Sequence, residues 1–463
     1  MFWETVPYEI KKVMETLNSA GHHAYLVGGC VRDYLMGNRP HDYDVCSDAQ
    51  PYEVHRACYD GFDVLNTGVA FGTVTVMSGD TPVEVTTFRS ENGYTDGRHP
   101  DNVEYVKNIE TDLARRDFTI NAMAYDSHEF VDPFGGMRDL SNGVIRAVGD
   151  PDARFKEDGL RILRAIRFAV KYGFMIEDKT FEAMIRNKEC LQNCSKERIT
   201  AEFKKIFETD KPVTEVFMKA HEIIFEIVPE LVPCYKFDQN NKYHKHDVYE
   251  HMLAVTDACP AGSSFEIKMA ALLHDIGKPA SCTTDEQGQS HFYGHPEESA
   301  KIAKEVLSKD FRVSNAEYDR IIGLVENHDM YLSPTEKSVK RALNKFGEDF
   351  LRDFFVLKQA DIDDHIFPTG RTGAGAWGDI SRQIELFHEL LEKQACFTIK
   401  DLAVNGSDVM ETLHLKPGKE VGEVLNHLLQ EVIDGNLEND RFVLLEAVTK
   451  ELQSNSLEEE IDR

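Results

Sequence analysis

The spacing of apolar residues changes once along the chain, and the change divides it in two. Residues 1–20, beginning MFWETVPYEIKKVMETL, repeat their apolar positions at helical spacing and predict an N-terminal helix. A β-rich run follows from His23 to Val27 (HAYLV), then Gly28-Gly29, then a helix from Cys30 to Met36. Alternating runs at Phe71–Met77 (FGTVTVM) and Val83–Phe88 (VEVTTF) predict strands of a small sheet. A glycine-punctuated polar loop spans Arg89 to Pro100. Beyond about Arg154 the period turns helical, in LRILRAIRFAVKYG and then KERITAEFKKIF, and stays so. The pattern predicts an α+β head followed by an all-α body. Breaks near Asp150, Asn240 and Ala395 mark four segments, 1–150, 151–240, 241–395 and 396–463, and the closing SLEEEIDR is expected to fray.

A composition of 41% hydrophobic and 10% aromatic residues is enough to build such cores. No stretch approaches the roughly 20 apolar residues of a membrane span. The amphipathic N-terminus lacks the basic start and apolar run of a signal peptide. Nine scattered cysteines argue against a disulfide framework and fit a reducing cytosol. Cys190 and Cys194 stand one helical turn apart, but no second pair completes a zinc site. A net charge of −29 opposes nucleic-acid binding at first sight. The charge is uneven, however. Arg154 to Lys205 holds thirteen basic and eight acidic residues, a local +5 that leaves −34 for the rest. A basic island in an acidic chain suits a partner gripped at one place and then released.

The head carries candidate chemistry. Asp42 and Asp44 are two residues apart, so on a strand both point to one face. Oxygen-liganded Mg²⁺ needs such pairs for phosphoryl transfer. Glu84, on the second β-run, is a candidate third carboxylate. Gly28-Gly29 lies where a strand turns into a helix, where backbone N–H groups can hold a triphosphate, and Arg32 in the first turn would reach the same phosphates.

Together these residues resemble the polymerase-β-like nucleotidyltransferases of the class II tRNA CCA-adding family. The resemblance continues in order through Arg115-Arg116-Asp117-Phe118-Thr119-Ile120-Asn121, then Asp132-Pro133-Phe134-Gly135-Gly136, then Glu157-Asp158-Gly159-Leu160-Arg161, then Glu197-Arg198 with Glu202. It covers roughly residues 23–210. It implies a polymerase-β-like head that adds C and A to the tRNA 3′ end from CTP and ATP.

The residues themselves give a physical reason for that choice of bases. Asp158, Arg161 and Arg164 recur every three residues and are expected to form one helix stripe, with Leu163, Ile166 and Val170 facing the core. A carboxylate beside a guanidinium offers acceptor and donors. Cytosine and adenine both present an amine next to a ring acceptor, while uracil and guanine reverse the order. Such a site rejects its mismatch by roughly 10⁴–10⁵-fold. Arg115 and Arg116 are expected on triphosphate and ribose together with Asp117 and Asn121, and Arg167 shares the selecting helix. The Arg89–Pro100 loop resembles the one kept by enzymes that switch from CTP to ATP, which argues against a CC-only adder and leaves an A-only adder open. A poly(A) polymerase shares the head, but no strongly basic extension is present.

A second constellation begins near Tyr243. His274-Asp275 interrupts the apolar run MAALLHDIGK, where a polar pair must find partners or a metal. With His251, His295, His328 and Asp361 it resembles the HD superfamily, which implies a divalent transition metal or Mg²⁺ and a phosphatase or phosphodiesterase activity. His246-Asp247 has the same dipeptide but lies in a connecting segment. An HD phosphohydrolase whose head only binds nucleotide is the rival reading, disfavoured by the intact Asp42-x-Asp44. Pro417-Gly418 opens a C-terminal helix that is a candidate tRNA contact.

Overall fold

The computed structural model describes residues 2–240, 246–364, 372–393 and 395–450; Tyr243 and the closing SLEEEIDR lie outside the described residues. The chain divides into two compact units, Met1–Val232 with Val306–Val313, and Pro233–Glu305 with Ser314–Arg463.

The first unit opens with two helices where one was expected, Phe2–Thr5 and Tyr8–Ser19. Pro7 is the reason: it lacks an N–H and disfavours helix at the residue before it. The second helix buries Ile10, Val13, Met14 and Leu17 against the sheet. That sheet contains β1 (Ala24–Val27), β2 (Asp44–Ser47), β3 (Asp63–Leu65), β4 (Thr73–Ser78) and β5 (Thr81–Thr87). A separate two-stranded ribbon, β6 (Arg89–Asn92) with β7 (Asn102–Tyr105), forms from the loop expected between Arg89 and Pro100. Two short strands, β8 (Ala124–Tyr125) and β9 (Phe130–Val131), complete the sheet in the order β3-β4-β5-β2-β1-β8-β9. Its only parallel pair is β2 with β5, in the register Val45 to Val85. One residue earlier on each strand are Asp44 and Glu84. Alternation therefore puts both carboxylates on the face opposite the buried Val45 and Val85.

Asp42 departs from expectation. β1 ends opposite Asp44, so β2 begins there and Asp42 lies just outside the strand. After the sheet the chain is mainly helical. Asp150 caps the Pro151–Glu157 helix by accepting from the Asp152 N–H at 3.2 Å. Next comes the Leu160–Tyr172 helix, which buries Leu163, Ile166 and Val170 as expected and is closed by Gly173 in the left-handed conformation. Asp158 is not part of this helix. Its backbone is extended (φ −151°, ψ 105°), so the expected stripe begins at Arg161. Gly159, itself in the helical region, has to be glycine, because a Cβ there would lie 2.4 Å from the Cys190 carbonyl oxygen. Gly159→Ala is expected to destabilise the protein by about 1–3 kcal/mol through this overlap. The midpoint of urea unfolding checks it, and a wild-type midpoint would contradict it.

In the second unit the helices Val248–Ala258, Phe265–Leu273, Asn315–Asn327 and Glu348–Asp364 pack together, and His295, which opens the His295–Lys309 helix, reaches Asp275 and His328 among them. Asp247 of the His246-Asp247 dipeptide caps the first of these through the Glu250 N–H at 2.7 Å, which is a structural role. Towards the C-terminus Gly418 precedes the Lys419–Ile433 helix. Val409, Leu428, Leu429 and Leu444 form a separate apolar cluster there.

Candidate active site

Asp42, Asp44 and Glu84 line one cleft of about 870 Å³ beside β2 and β5. Asp44 and Glu84 also line the adjoining recess with Arg89, Arg115 and Arg116. Protein packed around the Asp44 carboxyl raises its pKa; Arg116 opposes the rise, and the nearby Glu84 and Asp42 charges add to it. A carboxylate desolvated among other carboxylates is a fit for a cation.

The arginines facing this cluster are held from behind. Asp112, fully buried on the Ile109–Ala114 helix, accepts from Arg115 Nη2 at 2.8 Å and from Arg116 Nη2 at 3.3 Å. Arg115 also reaches Glu91 at 3.2 Å, and Glu91 accepts from Arg89 and from the Tyr94 hydroxyl, both at 2.6 Å. The β6–β7 ribbon is thereby tied to the arginine recess. Arg116 Nε is buried with no hydrogen-bond partner, an unmet donor of the kind an anion satisfies. Gly28 (φ +71°) leaves room for this side chain, since a Cβ there would sit 2.9 Å from Arg116 Nη1.

Four other predicted nucleotide residues do not face the cleft openly. Arg32 is buried, donates to Asn121 Oδ1 at 2.5 Å and to Asp33 at 2.8 Å, and lies over the Tyr172 ring. Its guanidinium is engaged by protein partners, with Nη2 3.6 Å from where a Cβ of Gly29 would lie. Asn121 in turn donates to Asp117 at 3.0 Å, and Asp117 accepts from Arg164 Nε at 2.8 Å. Burial pushes against ionisation of Asp117, but Arg164 and Asn121 outweigh it and hold the carboxyl at a pKa of about 2. The chain Arg32–Asn121–Asp117–Arg164 braces the Gly29–Leu35 helix against the Leu160–Tyr172 helix. Arg167 pairs with the buried Glu202 at 2.6 Å and lies over Phe168.

Asp158 and Arg161 are each engaged with a different partner. Arg198 grips Asp158 through both terminal nitrogens, at 2.7 and 3.2 Å. Glu157 takes Arg161, which also donates to the Arg115 carbonyl at 3.1 Å. The expected carboxylate–guanidinium pair is therefore not formed side by side, because the extended backbone at Asp158 takes it off the helix that carries Arg161. Asp112 and Glu91 were missed from sequence. Asp112 had a signal, lying three and four residues before Arg115 and Arg116 on a helix.

The six HD residues converge. His251 and His274 bring Nε2 to 3.2 Å from Asp275 Oδ2, and His251 lies 3.3 Å from Asp361. His295 Nε2 is 3.3 Å from Asp275 Oδ1 and 3.1 Å from His328 Nε2. Ligand atoms of His251, His274 and Asp361, and those of His274, Asp275 and His328, lie within 4.8 Å of one another. The Nδ1 atoms of His274, His295 and His328 each contact the carbonyl three residues back, at 2.7–2.8 Å. With Nδ1 donating to a carbonyl, Nε2 is the ring nitrogen that faces the cluster, the one a metal would take. Burial would raise the Asp275 carboxyl, but His274 and Lys278 outweigh it and hold it well below the usual range; Lys278 Nζ is 2.6 Å away. Among the described residues, no other group of His, Cys, Asp or Glu side chains converges as closely.

Fold and site together define a polymerase-β-like nucleotidyltransferase head on a helical body with an HD domain. The families described as Poly A polymerase head domain and HD domain match residues 24–146 and 248–362, and one described as "Probable RNA and SrmB-binding site of polymerase A" matches 173–232. A CCA-adding enzyme of Ligilactobacillus salivarius is 31% identical, covering 98% of this chain and 99% of that one. One from Streptococcus suis is 32% identical over 96% of this chain and 95% of its own length. The Bacillus stearothermophilus CCA-adding enzyme solved with CTP superposes with a TM-score of 0.67 at 25% identity, covering 98% of this chain and all of that one. The chain belongs to the CCA-adding enzyme family, nucleotidyltransferases that depend on a divalent metal. Among the described residues no helix is long and apolar enough to cross a membrane.

Proposed function

We propose that this chain adds C and A from CTP and ATP to the 3′ end of tRNA in the cytoplasm, building or repairing CCA without a template. The observation that carries it is the meeting of Asp44 and Glu84 with Arg115 and Arg116 across one recess. In this reading the tRNA 3′-hydroxyl attacks the α-phosphate in line, and pyrophosphate leaves. Arg115 and Arg116, fixed by Asp112, hold the triphosphate, and the unmet Arg116 Nε supplies a further donor. Asp42 and Asp44 hold Mg²⁺, with Glu84 a third candidate, and the ion supplies neutralisation of developing phosphoryl charge. Arg32, Asp117, Asn121 and Arg164 position the selecting helix from behind.

Base selection falls to Asp158 and Arg161. Both are satisfied by protein groups, Arg198 and Glu157, so the incoming base must exchange for these partners. Cytosine and adenine restore both interactions; uracil and guanine leave donors facing donors and acceptors facing acceptors. tRNA would be recognised by backbone and shape. Segments 1–150, 151–240, 241–395 and 396–463 are assigned to transfer, base selection, HD chemistry and a helical tail touching tRNA. The test is extension of tRNA ending at the discriminator base, or at CC, with each labelled nucleotide in turn. CMP should join the first and AMP the second, with UTP and GTP refused by both. Absence of both CMP and AMP would defeat the proposal.

The HD cluster is proposed to hold a divalent transition metal or Mg²⁺ and to hydrolyse phosphoesters. His274→Ala is expected to lower the metal retained by purified protein, read by elemental analysis. Wild-type metal content in the variant would count against a metal there.

A further inference from the structure

The second unit carries a basic groove whose lining residues belong to neither the transfer recess nor the HD cluster. The Glu336–Phe346 helix places Lys337, Arg341 and Lys345 four residues apart, on one face. They border a groove of about 420 Å³ that Met330, Leu332 and Phe346 line with apolar surface. Residues 330–347 hold four basic residues against one acidic, a local +3 in a chain of net −29.

Partial neutralisation does not cancel that charge. Asp434 accepts from Arg341 at 2.8 and 3.0 Å and from Lys337 at 3.3 Å, so one carboxylate serves two cations. The Lys337 and Arg341 side chains remain 48% and 54% exposed, and Lys345 is exposed as well. Tyr331, 78% exposed, stands between the groove residues Met330 and Leu332. Cations repeating about every 6 Å along a helix, beside an apolar floor and an open aromatic ring, suit a sugar–phosphate strand. An acidic protein surface would pair with the cations but leave the tyrosine and the apolar floor unused.

We propose that this groove grips the phosphate backbone of the tRNA substrate, a second basic contact besides the Arg154–Lys205 island. The proposal rests on the tRNA reading above. A chain acidic elsewhere then holds RNA only where cations are grouped, which keeps release after each extension fast and salt-sensitive.

The experiment measures the dissociation constant of full-length protein for tRNA lacking CCA over a series of salt concentrations. Lys345→Glu is expected to weaken binding roughly three- to tenfold near 0.1 M salt and to lower the slope of log K against log salt by about one. KM for CTP at saturating tRNA should be unchanged. Lys345→Gln, milder at the same exposed position, gives the same slope criterion should the reversal misfold. Unchanged affinity and slope in a folded variant would overturn the proposal. A wild-type protein that neither binds nor extends tRNA would instead overturn the tRNA reading itself.

Discussion

Asp44→Ala is expected to abolish CMP and AMP incorporation, by roughly three orders of magnitude or more, equivalent to about 4 kcal/mol of transition-state stabilisation. Asp44, like Glu84, lines both the large cleft and the arginine recess, and packing already raises its pKa among like charges. Removing it leaves no group that both faces Arg116 and neighbours Glu84 across parallel strands. Asp42→Ala should act in the same direction. Hydrolysis or metal binding at the HD cluster should persist in both variants, because its ligands come from other helices of another unit. Single-turnover incorporation with saturating tRNA measures the effect; a loss of less than tenfold would remove Asp44 from the catalytic role assigned to it.

The second large effect concerns choice of base. Asp158→Ala is expected to reduce discrimination of CTP over UTP by about two to four orders of magnitude. Two changes combine: the amine of cytosine loses its acceptor, and the uracil carbonyl no longer meets a carboxylate. The variant should also release Arg198, which grips Asp158 through both terminal nitrogens. Comparison of kcat/KM for CTP and UTP checks the prediction. An unchanged ratio would mean that Asp158 has only the structural pairing with Arg198 seen here.

How legible these features were depended on the range of the interaction that decides them. The head sheet followed from alternation at FGTVTVM and VEVTTF, and the helical body from its 3.6-residue period, since both are local. Helix ends were harder. Pro7 splits the first helix, and Asp158 leaves the helix of Arg161 with an extended backbone, its carboxylate held by Arg198, 40 residues later. Arg32 was placed correctly on its helix, but its guanidinium is engaged by Asn121, a partner 89 residues away. The parallel pairing of β2 with β5 that brings Asp44 beside Glu84 is likewise a long-range fact. His274-Asp275 was legible because it breaks an apolar run, a local anomaly, and the resemblance to the HD superfamily joined the other four residues to it. Lys278, which braces Asp275 at 2.6 Å, has no such local signal of its role.

The central claim is that one site adds C twice and A once and then stops. It is tested most directly by incubating tRNA that ends at the discriminator base with CTP and ATP together and sequencing the product 3′ end. The account predicts CCA and no further growth. Product carrying only A, a poly(A) ladder, or no extension at all would contradict it.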